Sequence, residues 1–231
     1  ETAANSLTTG EDFYDTGGNF LHGTETGSST GVTYGTAGVF GNAATFDNDL
    51  NDKVINVGYL NFTNLDALTA SAWFKNTQAG GSSYRRIISK DRTGESGGWL
   101  LRLDNGEAKF YAYDADISGY RNAHSTTKLN DGNWHHIAGV FDTVNNLILL
   151  YVDGVEVANE TYAANLVDDR LNRDLTIGGS ENNNNNFGGT IDEVGIWAKS
   201  FTAQEIQAIY TRSVARFNVS VKVRSCNDAN C

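Results

Sequence analysis

Leu129-Asn-Asp-Gly-Asn-Trp-His-His-Ile-Ala-Gly-Val-Phe-Asp142, followed at Leu149 by Leu149-Leu-Tyr-Val-Asp-Gly-Val-Glu-Val157, decides the fold class. Trp134, His136, Ala138 and Val140 fall on one face at period two, and His135, Ile137, Gly139 and Phe141 on the other. Apolar residues on both faces predict a strand covered on both sides, with a sheet above and below it. Asp153-Gly154 sits between two β-rich runs, and both central positions of a type I′ turn need positive φ, so the pair predicts a tight antiparallel hairpin. Asp104-Asn-Gly106 gives the same signal between Trp99–Leu103 and Ala108–Tyr113.

Outward from these hairpins the pattern continues. Strands are expected at 43–46, 54–60, 68–75, 86–90, 175–178 and 190–197, which makes roughly a dozen in two stacked sheets. Residues 13–41, rich in Gly, Thr and Ser, are expected to wrap the outside rather than pack, and Tyr120-Arg121 and His124 to lie in loops. Thr202-Ala-Gln-Glu205 is a capping box, with Phe201 and Ile206 at the two positions of a hydrophobic staple; a helix is expected from Thr202 to about Thr211, packing Ile206, Ile209 and Tyr210 on a sheet. The fold class is therefore all-β: a two-sheet antiparallel sandwich with one short C-terminal helix.

The 231 residues suit one large sandwich. Three parts are expected: a flexible N-terminal lead at 1–12, the sandwich at 13–212, and a strand and tail at 213–231. Twenty-five glycines and no proline agree with short strands joined by polar turns. A net charge of −11 repels phosphate backbones and anionic lipid, so nucleic acid is a poor partner. No apolar run approaches the roughly eighteen residues that cross a bilayer, so no membrane insertion is expected. The absence of methionine, even at position 1, suggests a processed and exported chain or an excerpt of a longer one.

Three motifs in order, the Asp131–Asp142 run, Leu150-Tyr-Val-Asp-Gly-Val155, and Phe187-Gly-Gly-Thr-Ile-Asp-Glu-Val-Gly-Ile-Trp197 leading into Phe201-Thr-Ala-Gln-Glu-Ile206, resemble the laminin-G-like jelly-roll domains of bacterial secreted proteins. These in turn resemble concanavalin-like sandwiches. The resemblance covers about Phe13 to Arg212 and implies a jelly roll at the cell surface or outside the cell. It does not choose between sugar binder, adhesion domain and structural spacer.

Asp192 shares parity with Val194 and Ile196, which places a carboxylate on an apolar face that a cation or several hydrogen bonds must compensate. In the domains this chain resembles, the corresponding acid lies near the N-terminal loop and a structural calcium is frequent. The expected ligands for Ca2+ are Asp15, Asn19 and Asp192, with Asp47 as a fourth; backbone amides without metal are the alternative.

Phe217, Val219, Val221 and Val223 alternate with polar residues in a terminal strand without an obvious place in the jelly roll. It either adds an edge to its own sheet, begins a next domain, or pairs with a neighbouring protomer and joins copies into a polymer. Cys226 and Cys231 follow, five apart, and suit a small-loop disulfide; two unpaired thiols are the alternative.

Lys109, Tyr111 and Tyr113 share a face, with Arg102 and Asp104 across the hairpin and Tyr120-Arg121 in the next loop, an arrangement that suits stacking on pyranose rings and equally a solvated face or a protein contact. Adjacent His135 and His136 point to opposite faces and do not chelate one ion together. Glycosidases on sandwiches need two carboxylates flanking a bond; Asp192 and Glu193 point apart, Asp114 and Asp116 lie past a strand in a Gly and Ser loop, and no Gly-x-Ser-x-Gly elbow or phosphate loop occurs. The expected function is a non-catalytic, extracellular structural or adhesive module, with a carbohydrate-binding module of a larger secreted protein as the alternative.

Overall fold

The computed structural model describes residues 23–26, 31–46, 54–60, 66–76, 84–91, 97–114, 117–162, 173–181 and 185–214. Among them fourteen strands form two seven-stranded antiparallel sheets. The first, in spatial order, consists of β1 (Thr24–Thr26), β4 (Val54–Tyr59), β13 (Asp174–Ile177), β6 (Tyr84–Lys90), β7 (Trp99–Asp104), β8 (Glu107–Asp114) and β9 (Gly119–Lys128). The second consists of β12 (Val155–Thr161), β11 (Leu147–Val152), β10 (Trp134–Asp142), β5 (Ala67–Lys75), β14 (Gly189–Trp197), β3 (Asn42–Phe46) and β2 (Val32–Ala37). The described residues include one helix, α1 (Ala203–Val214), and among them no helix is long and apolar enough to cross a membrane.

The predicted turns form for the predicted reason. Asp153 and Gly154 take φ of 48° and 78°, and Asn105 and Gly106 take 50° and 85°. Both hairpins therefore have positive φ at both central residues. The Asp153 carboxylate also accepts the His136 amide at 2.8 Å and bonds His135 Nδ1 at 2.9 Å, pinning the turn to the start of β10.

The inner faces of the sheets meet over Phe74, Trp99, Leu101, Phe110, Ile137 and Phe141, all fully buried. The sheets approach so closely at Gly139 that a Cβ there would lie 2.3 Å from the Phe110 ring. The other face of β10 corrects the sequence reading. Ala138 and Val140 do not meet a second sheet; they pack with Tyr151 and Ile206 under α1, so the double covering of β10 is one sheet and one helix. The capping box is present, with Glu205 N donating to Thr202 Oγ1 at 3.3 Å and Thr202 N donating to the Glu205 carboxylate at 2.9 Å.

Two further expectations fail. Residues 119–128 are a ten-residue strand, not a loop, so Tyr120, Arg121 and His124 are strand residues. Their polar character belongs to a sheet edge, where only Ala123 of this strand reaches the core. The segment expected to wrap contributes β1 and β2, both at sheet edges, where unpaired backbone rather than apolar side chains defines the strand.

Candidate functional site

On the outer face of the first sheet, register decides which side chains meet. Arg86 lies opposite Arg102, and Arg102 opposite Lys109. Lys109 in turn lies opposite His124. Residues directly opposite in antiparallel strands share a face with Cβ atoms about 5 Å apart, and like charges so placed repel. Three cationic side chains, Arg86, Arg102 and Lys109, thus form a row across β6, β7 and β8, continued on β9 by His124.

One carboxylate organises the middle of that row. Asp104, two residues along β7 from Arg102 and so on the same face, lies 2.6 Å from Arg102 Nε and 3.1 Å from Lys109 Nζ. It also accepts the Tyr111 hydroxyl at 3.1 Å, and that hydroxyl accepts from the Arg102 guanidinium at 2.9 Å. The guanidinium is sandwiched between two rings, 4.3 Å from the Tyr84 centroid and 4.2 Å from that of Tyr111. Such cation–π contacts together contribute on the order of 1–2 kcal/mol, and here they fix the cation in position.

Beside this stack, Tyr120 packs edge-on against Tyr111 and Tyr113, with centroids 6.2 and 5.4 Å away, and donates its hydroxyl to the Gly97 carbonyl at 2.8 Å. Burial raises the Tyr120 phenol to about 12 and raises that of Tyr111 as well, so both stay protonated donors at neutral pH. Burial pulls the Lys109 ammonium down, but its bond to Asp104 outweighs this and the net shift is upward; it stays charged. At the end of the row, buried Arg86 is paired with buried Asp91 at 2.7 Å. Tyr84 is 47% exposed, which leaves one edge of the sandwiched cation facing solvent.

The structure therefore assembles Arg102, Lys109, Tyr111 and Tyr113, all proposed from the hairpin pattern, on one face. It adds Tyr84, and brings Tyr120 to the same face from a strand rather than from the expected loop. Tyr84 carried no local signal, because its place opposite Asp104 comes from the β6–β7 register, across a turn-rich interval in the sequence.

The acid expected to hold calcium is placed differently. A bulge between Asp192 and Gly195, with Glu193 at φ 47°, breaks the parity of β14. Ile191 faces Phe74 in the core while Asp192 lies opposite Trp73 on the outer face of the second sheet. Asp192 is therefore not among the core side chains. It is buried nonetheless, and accepts the amides of Phe40 at 3.0 Å and Glu193 at 2.9 Å. Burial raises its carboxyl, and these amides pull it back in part. Asp15, Asn19 and Asp47 lie outside the described residues, and among the described residues no group of three His, Cys, Asp or Glu stands together as metal ligands. Phe217, Val219, Val221, Val223, Cys226 and Cys231 also lie outside the described residues.

Among solved structures, the fold is similar to domain 4 of AbnA, an extracellular arabinanase from Geobacillus stearothermophilus, in complex with arabinotriose. The identity is 22%, the match covers 86% of this chain and 93% of that one, and the TM-score is 0.66. It is also similar to the binding domain of Paraclostridial Mosquitocidal Protein 1, at 15% identity, 86% and 49% coverage and TM-score 0.67. A third is the binding domain of botulinum neurotoxin DC in complex with SialylT, at 12% identity, 86% and 48% coverage and TM-score 0.62. The chain spans about half the length of these toxin binding domains. No protein of curated function matches it by sequence. The family model described as the concanavalin A-like lectin/glucanases superfamily matches residues 49–207, and with two seven-stranded sheets around one core the chain belongs to that family.

Proposed function

We propose that the protein is a non-catalytic, extracellular carbohydrate-binding module whose ligand face is the outer surface of β6, β7, β8 and β9. The observation that carries this reading is the Arg102 guanidinium held between the rings of Tyr84 and Tyr111 and oriented by Asp104. Aromatic rings beside fixed polar groups suit saccharides, whose C–H faces stack on the rings while hydroxyls find donors and acceptors. Two structural neighbours, the arabinanase domain and a toxin binding domain, are described with saccharide ligands, which supports the reading by analogy of fold.

A binding role fits these carboxylates better than catalysis. Asp104 is engaged by three donors and Asp91 by Arg86 and Ser89, so both serve as fixed acceptors that orient the basic side chains. Retention of the purified chain on a glycan array tests the proposal. Tyr84→Ala is expected to weaken binding at least tenfold while leaving the melting curve nearly unchanged, because that ring is half exposed. Wild-type protein that binds no glycan overturns it. Polymer formation through the terminal strand rests on residues outside the described set.

A further inference from the structure

From the charge balance of the same face we infer that the preferred ligand is an acidic saccharide, one whose sugar residues carry a carboxylate or sulfate. The inference rests on the carbohydrate-binding reading and narrows it. Four ion pairs stand on this surface among the described residues. Arg86 is paired with Asp91, and Lys128 with Glu107. Among the described residues Arg102 and Lys109 share the single carboxylate of Asp104, two cations to one anion at the centre of the aromatic stack.

The surplus is costly to the free protein. Arg102 is opposite both Arg86 and Lys109, and Lys109 is opposite exposed His124, so the register itself places basic groups side by side. Neighbours of one sign destabilise a sheet. The chain's net charge of −11 repels polyanions at long range, but salt screens that field beyond about 8–10 Å, so for a short acidic oligosaccharide the cations in direct contact decide. An arriving anion removes the repulsion and gains charge-assisted hydrogen bonds. Both cations keep an exposed edge: their side chains are 15% and 22% accessible for Arg102 and Lys109. The flanking rings exclude water on two sides of the guanidinium, which strengthens its attraction for an anion relative to an open surface.

The experiment compares matched ligands with the full chain by titration calorimetry: oligogalacturonates against their methyl esters, sulfated against desulfated chondroitin oligosaccharides, and neutral arabino-oligosaccharides. The acidic member of at least one pair is expected to bind roughly tenfold or more tightly than its neutral partner, and the pair that shows this identifies carboxylate or sulfate as the anion. Lys109→Gln is expected to reduce that advantage to within about threefold, and Lys109→Arg to retain it, with circular dichroism confirming both folds. Equal binding of acidic and neutral members overturns the acidic preference and leaves the carbohydrate reading standing. Binding of no ligand, acidic or neutral, overturns both.

Discussion

The ring of Tyr210 lies stacked on Trp73, centroids 5.4 Å apart and planes 16° from parallel, and His136 completes the cluster 5.4 Å from Trp73. This contact and Ile206 hold α1 on the outer face of the second sheet. Ile206 is fully buried against Ala138, Val140 and Tyr151. Ile206→Ala is expected to cost about 2–4 kcal/mol, and Thr202→Ala, which removes the cap, about 1 kcal/mol. Urea denaturation of each variant measures both, and a cost for Ile206→Ala below that of Thr202→Ala contradicts the packing described.

The two adjacent histidines respond to pH in opposite senses. Burial lowers His136 to about 4, and neither ring nitrogen has a hydrogen-bond partner among the described residues. The unfolded chain takes up a proton near pH 6.5 and the folded chain only near 4, so stability falls as pH drops through that window, by roughly 3 kcal/mol. His135 has its ordinary value raised, first by its bond to Asp153, against the pull of partial burial. Its contribution is fully present below the unfolded value and fades as pH rises through the folded one. His136→Phe is therefore expected to flatten the stability profile between pH 6.5 and 4. An unchanged acid arm in denaturant titrations at several pH values rejects this account.

Gly139 has no room for a side chain. With a Cβ placed 2.3 Å from the Phe110 ring, Gly139→Ala forces the sheets apart or the ring off its rotamer, at an expected cost of about 1–3 kcal/mol. Thermal melting with Gly35→Ala as the comparison separates this clash from loss of backbone freedom, since a Cβ at Gly35 meets nothing within 4 Å although its φ of 94° is strained.

Calcium at Asp192, with Asp15, Asn19 and Asp47, stays a proposal. A carboxylate offers about four lone-pair sites, so the amides of Phe40, Glu193 and Val39 leave one on Asp192 for a cation. Added EDTA is expected to lower the melting temperature by several degrees and excess Ca2+ to restore it. Superimposable curves remove the ion and leave the amides as the sole counterpart of the charge.

Local chemistry made much of this molecule legible. Asp153-Gly154, Asn105-Gly106 and the Thr202–Glu205 box each specify their own geometry within four residues, and the β7–β8 hairpin brought Arg102, Lys109, Tyr111 and Tyr113 together on paper. What escaped depends on distant partners. Tyr84 joins the site only through the pairing of β6 with β7. Asp192 left the core because one extra residue in β14 resets alternation, and strict period-two counting has no term for a bulge. The strand 119–128 looked like a loop because an edge needs few apolar side chains.

Helix α1 covers one broad surface of the sandwich and the Tyr84–Arg102–Tyr111 stack occupies the opposite one. The protein consequently has a back and a front. The helix ends at Val214 on the back, so α1 leaves the front, the face proposed to meet a saccharide, uncovered.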